Sequence, residues 1–161
     1  MQNVIIRPTV LEDSEALVHI MIAAWRSAFR GILSDAVIDK YTDFDGCKAM
    51  FSQLLSSDFG AMYLAFLDKV PAGLLCLVPE NPEEARIEAL LTIPEAWGRG
   101  VGPALMETAF SHAKSAGFAS IHVWPFAENH RARRFYEKWG FAPTGRERLG
   151  DAPEIEYRRS T

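Results

Sequence analysis

The spacing of hydrophobic residues predicts helices in the first third of the chain. From Leu11 to Ala28, apolar residues recur every three or four positions, which is the period of an amphipathic helix. Two shorter helices are predicted. The first spans 35–41, with Ser34 as its N-cap, and the second spans 45–55. A short strand over 3–8, stopped by Pro8, is predicted to precede them.

The period changes in the middle of the chain, where apolar stretches have the length of strands. They occupy 61–67, 72–78 and 85–93, with turn-forming residues between them. The remainder predicts a helix ended by Gly117, a strand over 120–124, a helix capped by Asn129 and two strands over 141–145 and 154–159. This order predicts an α/β (α+β) sandwich: a mixed, largely antiparallel sheet of six to seven strands, flanked by helices.

Composition favours a single globular domain over residues 1–161, because 48% of the residues are hydrophobic and 24% are charged. No apolar run is long enough for a membrane span, and the first ten residues lack the features of a signal peptide. Two cysteines are too few for a disulfide framework, and no Cys or His spacing suggests a metal site. We therefore expect a cytoplasmic protein that needs neither a membrane nor a metal.

Charge is distributed unevenly along the chain. Residues 1–97 contain 7 Lys/Arg and 14 Asp/Glu, whereas residues 98–161 contain 10 and 7. The overall net charge of −4 argues against nucleic acid as the main partner. The basic second part leaves room for a phosphorylated ligand, although chance asymmetry on solvated faces explains it equally well.

The stretch "PEAWGRGVG" at 94–102 has glycine at every second position, between a predicted strand and a predicted helix. A glycine turn at a helix N-terminus directs unpaired backbone N–H groups and the positive helix dipole at one point, which favours an anion such as phosphate. Two familiar nucleotide motifs fail here. The dinucleotide fingerprint lacks its third glycine, where Leu105 stands, and the P-loop lacks Lys-Ser/Thr, because Pro103 follows Gly102.

Two blocks together resemble the GNAT superfamily of N-acetyltransferases, which use acetyl-CoA. The block "IEALLTIPEAWGRGVGPALM" resembles its acetyl-CoA motif, and "ENHRARRFYEKWGF" resembles its second signature, with Asn129 seven residues before Tyr136. The resemblance implies a direct transfer of acetyl from acetyl-CoA, as co-substrate, to a primary amine of a small molecule or peptide in a ternary complex. The alternative is a non-catalytic acyl-CoA-binding or sensing module with the same fold.

The resemblance also implies which residues bind the cofactor. They are Leu90, Leu91 and Thr92 along the pantetheine arm, Gly98, Arg99, Gly100, Val101, Gly102 and Pro103 around the pyrophosphate, and Asn129 and Tyr136 near the thioester. Two residues depart from the family pattern. Trp97 stands where Gln or Arg is usual, and Pro103 replaces the common Lys or Arg, so we expect weaker cofactor binding.

Acetyl transfer to an amine predicts two catalytic residues. An amine with a pKa of about 10.4 must lose a proton before it attacks, and Glu88 is the candidate base. Arg86, two residues earlier, shares its strand face and is expected to hold Glu88 ionised. Tyr136 is the candidate acid for the departing thiolate. The alternatives are a surface carboxylate for Glu88 and a core tyrosine for Tyr136.

The acceptor site is the least determined part. In the superfamily the segment after the first strand commonly forms the acceptor pocket, which makes Trp25, Phe29 and Arg30 candidate substrate-binding residues. Trp25 and Phe29 are also four residues apart on one helix face, so core packing explains them as well. The acidic first part favours a cationic amine, without distinguishing a polyamine, an aminoglycoside, an amino acid, a peptide N-terminus or a lysine side chain. A homodimer is left open.

Overall fold

The computed structural model describes residues 2–161 as one seven-stranded sheet with helices on both faces. The strands are β1 (Val4–Pro8), β2 (Ala61–Leu67), β3 (Val70–Asn81), β4 (Glu84–Thr92), β5 (Ser120–Val123), β6 (Ala142–Leu149) and β7 (Pro153–Ser160). The α-helices are α1 (Ser14–Ala28), α2 (Asp35–Tyr41), α3 (Phe44–Leu55), α4 (Val101–Ser115) and α5 (His130–Lys138). None of these helices is long and apolar enough to cross a membrane.

The strand order is β1-β2-β3-β4-β5-β7-β6. All neighbouring strands are antiparallel except β4 and β5, which run parallel. A parallel pair needs a crossover connection, and α4 supplies it. The predicted mixed, largely antiparallel α/β sheet flanked by helices is confirmed.

The central strands are apolar on both faces because helices cover both faces. On one face, Leu75 of β3 belongs to a core that includes Leu105 of α4 and Tyr136 of α5. On the other face, the neighbouring residue Leu74 packs in a core with Leu17 of α1 and Phe51 of α3. Side chains alternate between the faces of a strand, so a strand buried on both faces is a continuous apolar run.

Helix α4 lies close to the sheet at a glycine. A Cβ atom on Gly73 of β3 would meet Leu105, Val101 and the carbonyl oxygen of Leu91, each at 3.0 Å. Val101 and Leu105 are fully buried by this approach. The close packing fixes the start of α4, and hence the glycine turn before it, against strands β3 and β4.

The structure extends one predicted strand at both ends. The apolar run over 72–78 predicts a short strand, but β3 continues through Pro71 and Pro79. Proline is tolerated there because the pairing shifts register beside both residues. At such a bulge, not every backbone N–H group has to donate a hydrogen bond to the neighbouring strand. The turn before β3 is only Asp68 and Lys69, both with positive φ (49° and 72°), as a tight hairpin requires.

Candidate active site

A gap in the sheet forms the centre of the candidate site. Parallel strands β4 and β5 pair only where Glu84–Ile87 faces Ser120–Val123. A bulge at Glu88 follows, since Cys76 pairs with Ala89 and Leu77 pairs with Ile87. Beyond it, β4 continues to Thr92 with β3 on one side and no strand on the other.

Along β4, the main-chain N–H and C=O groups of alternate residues face this gap. The Ile93 N–H donates to the Ala72 carbonyl of β3 at 3.0 Å. Because main-chain groups alternate along a strand, those of Leu91 also face β3, whereas those of Leu90 and Thr92 face the gap. Of the three cofactor residues expected on β4, Leu91 therefore has its backbone groups occupied, and Leu90 and Thr92 offer free ones.

The glycine turn lies at one end of the gap and leads into α4. Gly98 and Gly100 have left-handed backbone angles, with φ of 72° and 88°, and no neighbouring atom lies where their Cβ atoms would be. Within residues 2–161, the N–H groups of Gly98, Gly100, Val101 and Gly102 donate to no other group. Four free donors and the N-terminus of a fifteen-residue helix thus converge, which is suited to an anion.

One cavity of about 1550 Å³ connects the glycine turn with the gap and with the helices on the opposite face. It exceeds the roughly 300–1,000 Å³ of ordinary small-molecule sites, so two ligands can lie in it together. Most of the predicted site residues line it: Trp25, Phe29, Glu88, Leu90, Leu91, Thr92, Gly98, Gly100, Gly102, Pro103, Asn129 and Tyr136. The structure does not bring Arg30, Arg99 or Val101 to its wall.

The two excluded residues of the glycine turn have other partners. Arg99 points to Asp68 in the β2–β3 turn, with 3.4 Å between Nη2 and Oδ2. The Val101 side chain is buried in the core under α4, so only its main-chain N–H remains available to a ligand. Arg30, the third excluded residue, lies past the end of α1 and bridges to Leu33.

Tyr136 lines the cavity although nearly all of the residue is buried. Its ring packs between Phe135 and Phe141, with both centroid distances 5.6 Å, and only 6% of the residue is exposed. The hydroxyl has no hydrogen-bond partner among the described residues. Burial raises the pKa of the phenol, so Tyr136 keeps its proton at neutral pH and can donate it within the cavity.

Glu88 is positioned by the bulge in β4 and by a neighbouring arginine. Arg86 Nε donates to Glu88 Oε2 at 2.9 Å, and the same guanidinium donates to Glu80 through Nη1. The Glu88 side chain is 55% exposed. Its second carboxylate oxygen has no partner among residues 2–161 and is free to accept a proton.

Asn129 and Arg131 lie on the cavity wall at the start of α5. The Asn129 side chain caps the helix by accepting from the Ala132 N–H at 3.2 Å, which leaves its amide NH₂ without a partner among the described residues. The Arg131 guanidinium carbon stacks 3.5 Å above the centre of the Trp97 ring. Burial lowers the pKa of Arg131 somewhat, yet an arginine remains charged.

The Trp97–Arg131 stack was not predicted from the sequence. In the sequence, Trp97 indicates only a missing polar contact. Arg131, Arg133 and Arg134 are typical of a solvated helix face, although the resemblance allows one of them to meet the 3′-phosphate of coenzyme A. The structure separates them. Arg133 is held by Tyr157 and by the Ala127 carbonyl (3.1 and 2.9 Å), whereas Arg131 lines the cavity. The sequence contains no signal that pairs Trp97 with Arg131, because the two residues are far apart in the chain and only the fold brings them together.

Comparison with known proteins assigns the family. Residues 19–141 match the Acetyltransferase (GNAT) family, and the chain belongs to it. An uncharacterized N-acetyltransferase of Archaeoglobus fulgidus is 28% identical over 137 residues, which are 81% of this chain and 88% of the relative. One of Mycobacterium bovis is 25% identical over 149 residues, covering 91% and 96% of the two chains.

Solved structures share the fold. The PaiA N-acetyltransferase of Thermoplasma acidophilum, crystallised in complex with coenzyme A, superposes with a TM-score of 0.80 at 21% identity. The match covers 98% of this chain and 99% of that protein. The family and the fold establish an acetyltransferase of the GNAT class, as the two sequence blocks implied.

Proposed function

We propose that this chain transfers the acetyl group of acetyl-CoA to a primary amine of a small molecule or peptide, directly and in a ternary complex. The observation that carries the proposal is the single large cavity through the β4–β5 gap. Free main-chain groups of Leu90 and Thr92 line it between the glycine turn and the buried Tyr136. Donor and acceptor can thus meet from opposite faces of the sheet.

The donor is held mainly by the main chain. The glycine turn from Gly98 to Gly102 accepts the pyrophosphate on its free N–H groups, and the pantetheine arm pairs with Leu90 and Thr92 as an added strand does. Arg131 supplies a positive charge on the cavity wall, which Pro103, standing where the family commonly has Lys or Arg, does not provide. Asn129 caps α5 and turns its free amide toward the thioester end.

Three groups carry out the transfer. Glu88 takes a proton from the amine, directly or through a water molecule, so that the nitrogen lone pair can attack the thioester carbonyl carbon. The Leu90 N–H stabilises the oxygen as it becomes negative. Tyr136 gives its proton to the sulfur as the C–S bond breaks, and the attacking nitrogen then passes its second proton to the tyrosinate. The products are the N-acetyl amine and the free thiol.

Release of the coenzyme A thiol from acetyl-CoA tests the proposal. The assay covers polyamines, aminoglycosides, amino acids, hydrophobic amines and short peptides. With the best acceptor we expect Tyr136→Phe to lower kcat by about a hundredfold or more, with little change in donor affinity. The matched control is Tyr63→Phe, which removes a hydroxyl bonded to His112 at 2.9 Å, outside the cavity.

The outcomes separate the two classes of function. Amine-dependent release that falls only in the Tyr136 variant supports an enzyme with Tyr136 as its acid. Equal loss in both tyrosine variants contradicts the role of Tyr136. Tight coenzyme A binding without release for any amine contradicts the enzyme and favours a binding or sensing module.

A further inference from the structure

The part of the cavity on the α1 and α3 face is walled by hydrophobic side chains. We call it the acceptor chamber and define it by five residues that line the cavity: Trp25 of α1, Phe29 directly after α1, Tyr41 of α2, Met50 of α3 and Phe126 of the β5–α5 connection. It lies across the sheet from α4 and the glycine turn. Under the proposed function, on which this inference rests, the acceptor occupies this side.

Aromatic contacts hold one wall of the chamber in place. Trp25 packs edge-on against Phe29, with ring centroids 5.0 Å apart, and its other neighbour is Tyr41 at 5.3 Å. Phe29 in turn packs edge-on against Phe126 at 5.1 Å. These four rings join α1, α2 and the β5–α5 connection into one apolar surface that favours a ring or a bulky alkyl group.

Charges on this side of the sheet are already paired or exposed. Arg86 binds Glu88, and Arg148 binds Glu154, with 2.9 Å between the charged atoms in both pairs. Asp151 is exposed in the turn between β6 and β7. Among the described residues that line the chamber, none offers a second cation a buried carboxylate, and an unpaired buried ammonium is strongly unfavourable.

Cys76 adds to the apolar character of the chamber. Its side chain lines the cavity from β3, and burial raises the pKa of its thiol to about 12, so the sulfur stays neutral. A neutral thiol packs as a small hydrophobic group and gives an ammonium group no counter-charge.

From these contacts we infer that the acceptor is a primary amine on one bulky apolar body, and neither a polyamine nor an aminoglycoside. Its single ammonium group meets Glu88, where the proton is removed, and its body packs on the four rings. A free arylalkylamine and a peptide that begins with an apolar residue share this chemistry. The acidic first part of the chain attracts the cation, and the aromatic wall selects its body.

Amines matched in length and differing in charge test the inference. We expect kcat/KM to rise about threefold to fourfold for each methylene from butylamine to hexylamine. Hexylamine should exceed hexamethylenediamine by about tenfold or more, because the diamine brings a second charge to the aromatic wall. Phenethylamine and a Phe-initiated peptide identify which source of the apolar amine is preferred, and activity with either supports the inference.

Met50→Glu places a carboxylate in the chamber without disturbing the core, because Met50 is 40% exposed. Compared with the neutral control Met50→Gln, it should shift the hexylamine to hexamethylenediamine ratio about tenfold toward the diamine. An unchanged ratio of hexylamine to hexamethylenediamine activity overturns the placement of the acceptor's apolar part in the chamber. A wild-type preference for diamines, spermidine or kanamycin overturns the inference. Both results leave the proposed acetyltransferase intact, whereas no release with any amine refutes the enzyme itself.

Discussion

Replacing Gly100 with alanine tests whether the shape of the glycine turn binds the donor. Gly100 precedes α4 with φ of 88°, and no atom lies within 4 Å of the position of an added Cβ. The substitution therefore adds no clash, and its whole cost is the left-handed backbone, about 1–2 kcal/mol for an L-residue. If the turn relaxes to escape this cost, the binding conformation must be recovered when the pyrophosphate binds.

The expected result is a weaker affinity for coenzyme A. When the full cost falls on binding, the Kd rises by about fivefold to thirtyfold. Calorimetric titration gives the Kd, and urea unfolding gives the free energy of unfolding of the same preparation. A turn that keeps its shape under strain shows the cost as lost stability instead, so both quantities are measured.

Gly117 offers a matched control at the other end of α4. Its φ is 85°, and it too has no atom within 4 Å of an added Cβ. It lies roughly 25 Å along the helix from Gly100, by the rise of an α-helix. Gly117→Ala should cost the same stability and leave the Kd unchanged. Equal weakening of binding by both alanines would refute the pyrophosphate site at this turn, and a Gly100→Ala variant that loses neither affinity nor stability would refute the strain argument.

Three further predictions concern charge and burial. Arg131→Ala should raise the Kd of coenzyme A by about tenfold in calorimetry, through loss of the stack on Trp97 and of a phosphate contact; an equal loss for pantetheine, which lacks the phosphates, would contradict this. Arg7 donates two hydrogen bonds to Asp13 (2.8 and 2.9 Å) and so lowers the pKa of that carboxyl in the folded protein. The stability that this ion pair contributes is complete above the unfolded-state pKa of about 3.9, and it is lost as the pH falls through the lower folded-state pKa. Asp13→Asn should then cost about 1–2 kcal/mol in neutral urea melts and nothing in strong acid; a pH-independent cost would point to packing alone. Because burial raises the pKa of Cys76 to about 12, iodoacetamide at about pH 8 should alkylate it far more slowly in the folded than in the unfolded chain, and equal rates by mass spectrometry would contradict its burial.

The sequence predicts the elements well where one period dominates. The helix ended by Gly117 and the apolar strands on both sides of the hairpin at Asp68 are examples, because their patterns reflect burial on one or two faces. The ends of β3 were missed, since proline normally ends a strand and only pairing across a bulge makes Pro79 acceptable.

The candidate site was predictable only in part. The glycine turn and Tyr136 lie in sequence blocks with fixed spacing, so their nearness to one cavity followed from the motif. Which main-chain groups face the gap depends on the register between β3 and β4, which a sequence does not reveal. For the same reason the stack of Arg131 on Trp97, two residues far apart in the chain, became visible only in three dimensions.

The separation of β4 from β5 has a consequence for how this protein changes over generations. Under the proposed function, the donor is recognised largely by peptide groups of Leu90, Thr92 and the glycine turn, whose hydrogen bonds are the same for many side chains. The acceptor is recognised by side chains such as Trp25 and Met50, carried on helices of the opposite face. Substitutions on that face can therefore change which amine is accepted without changing the binding of acetyl-CoA. Selection can then act on acceptor specificity and on donor binding separately.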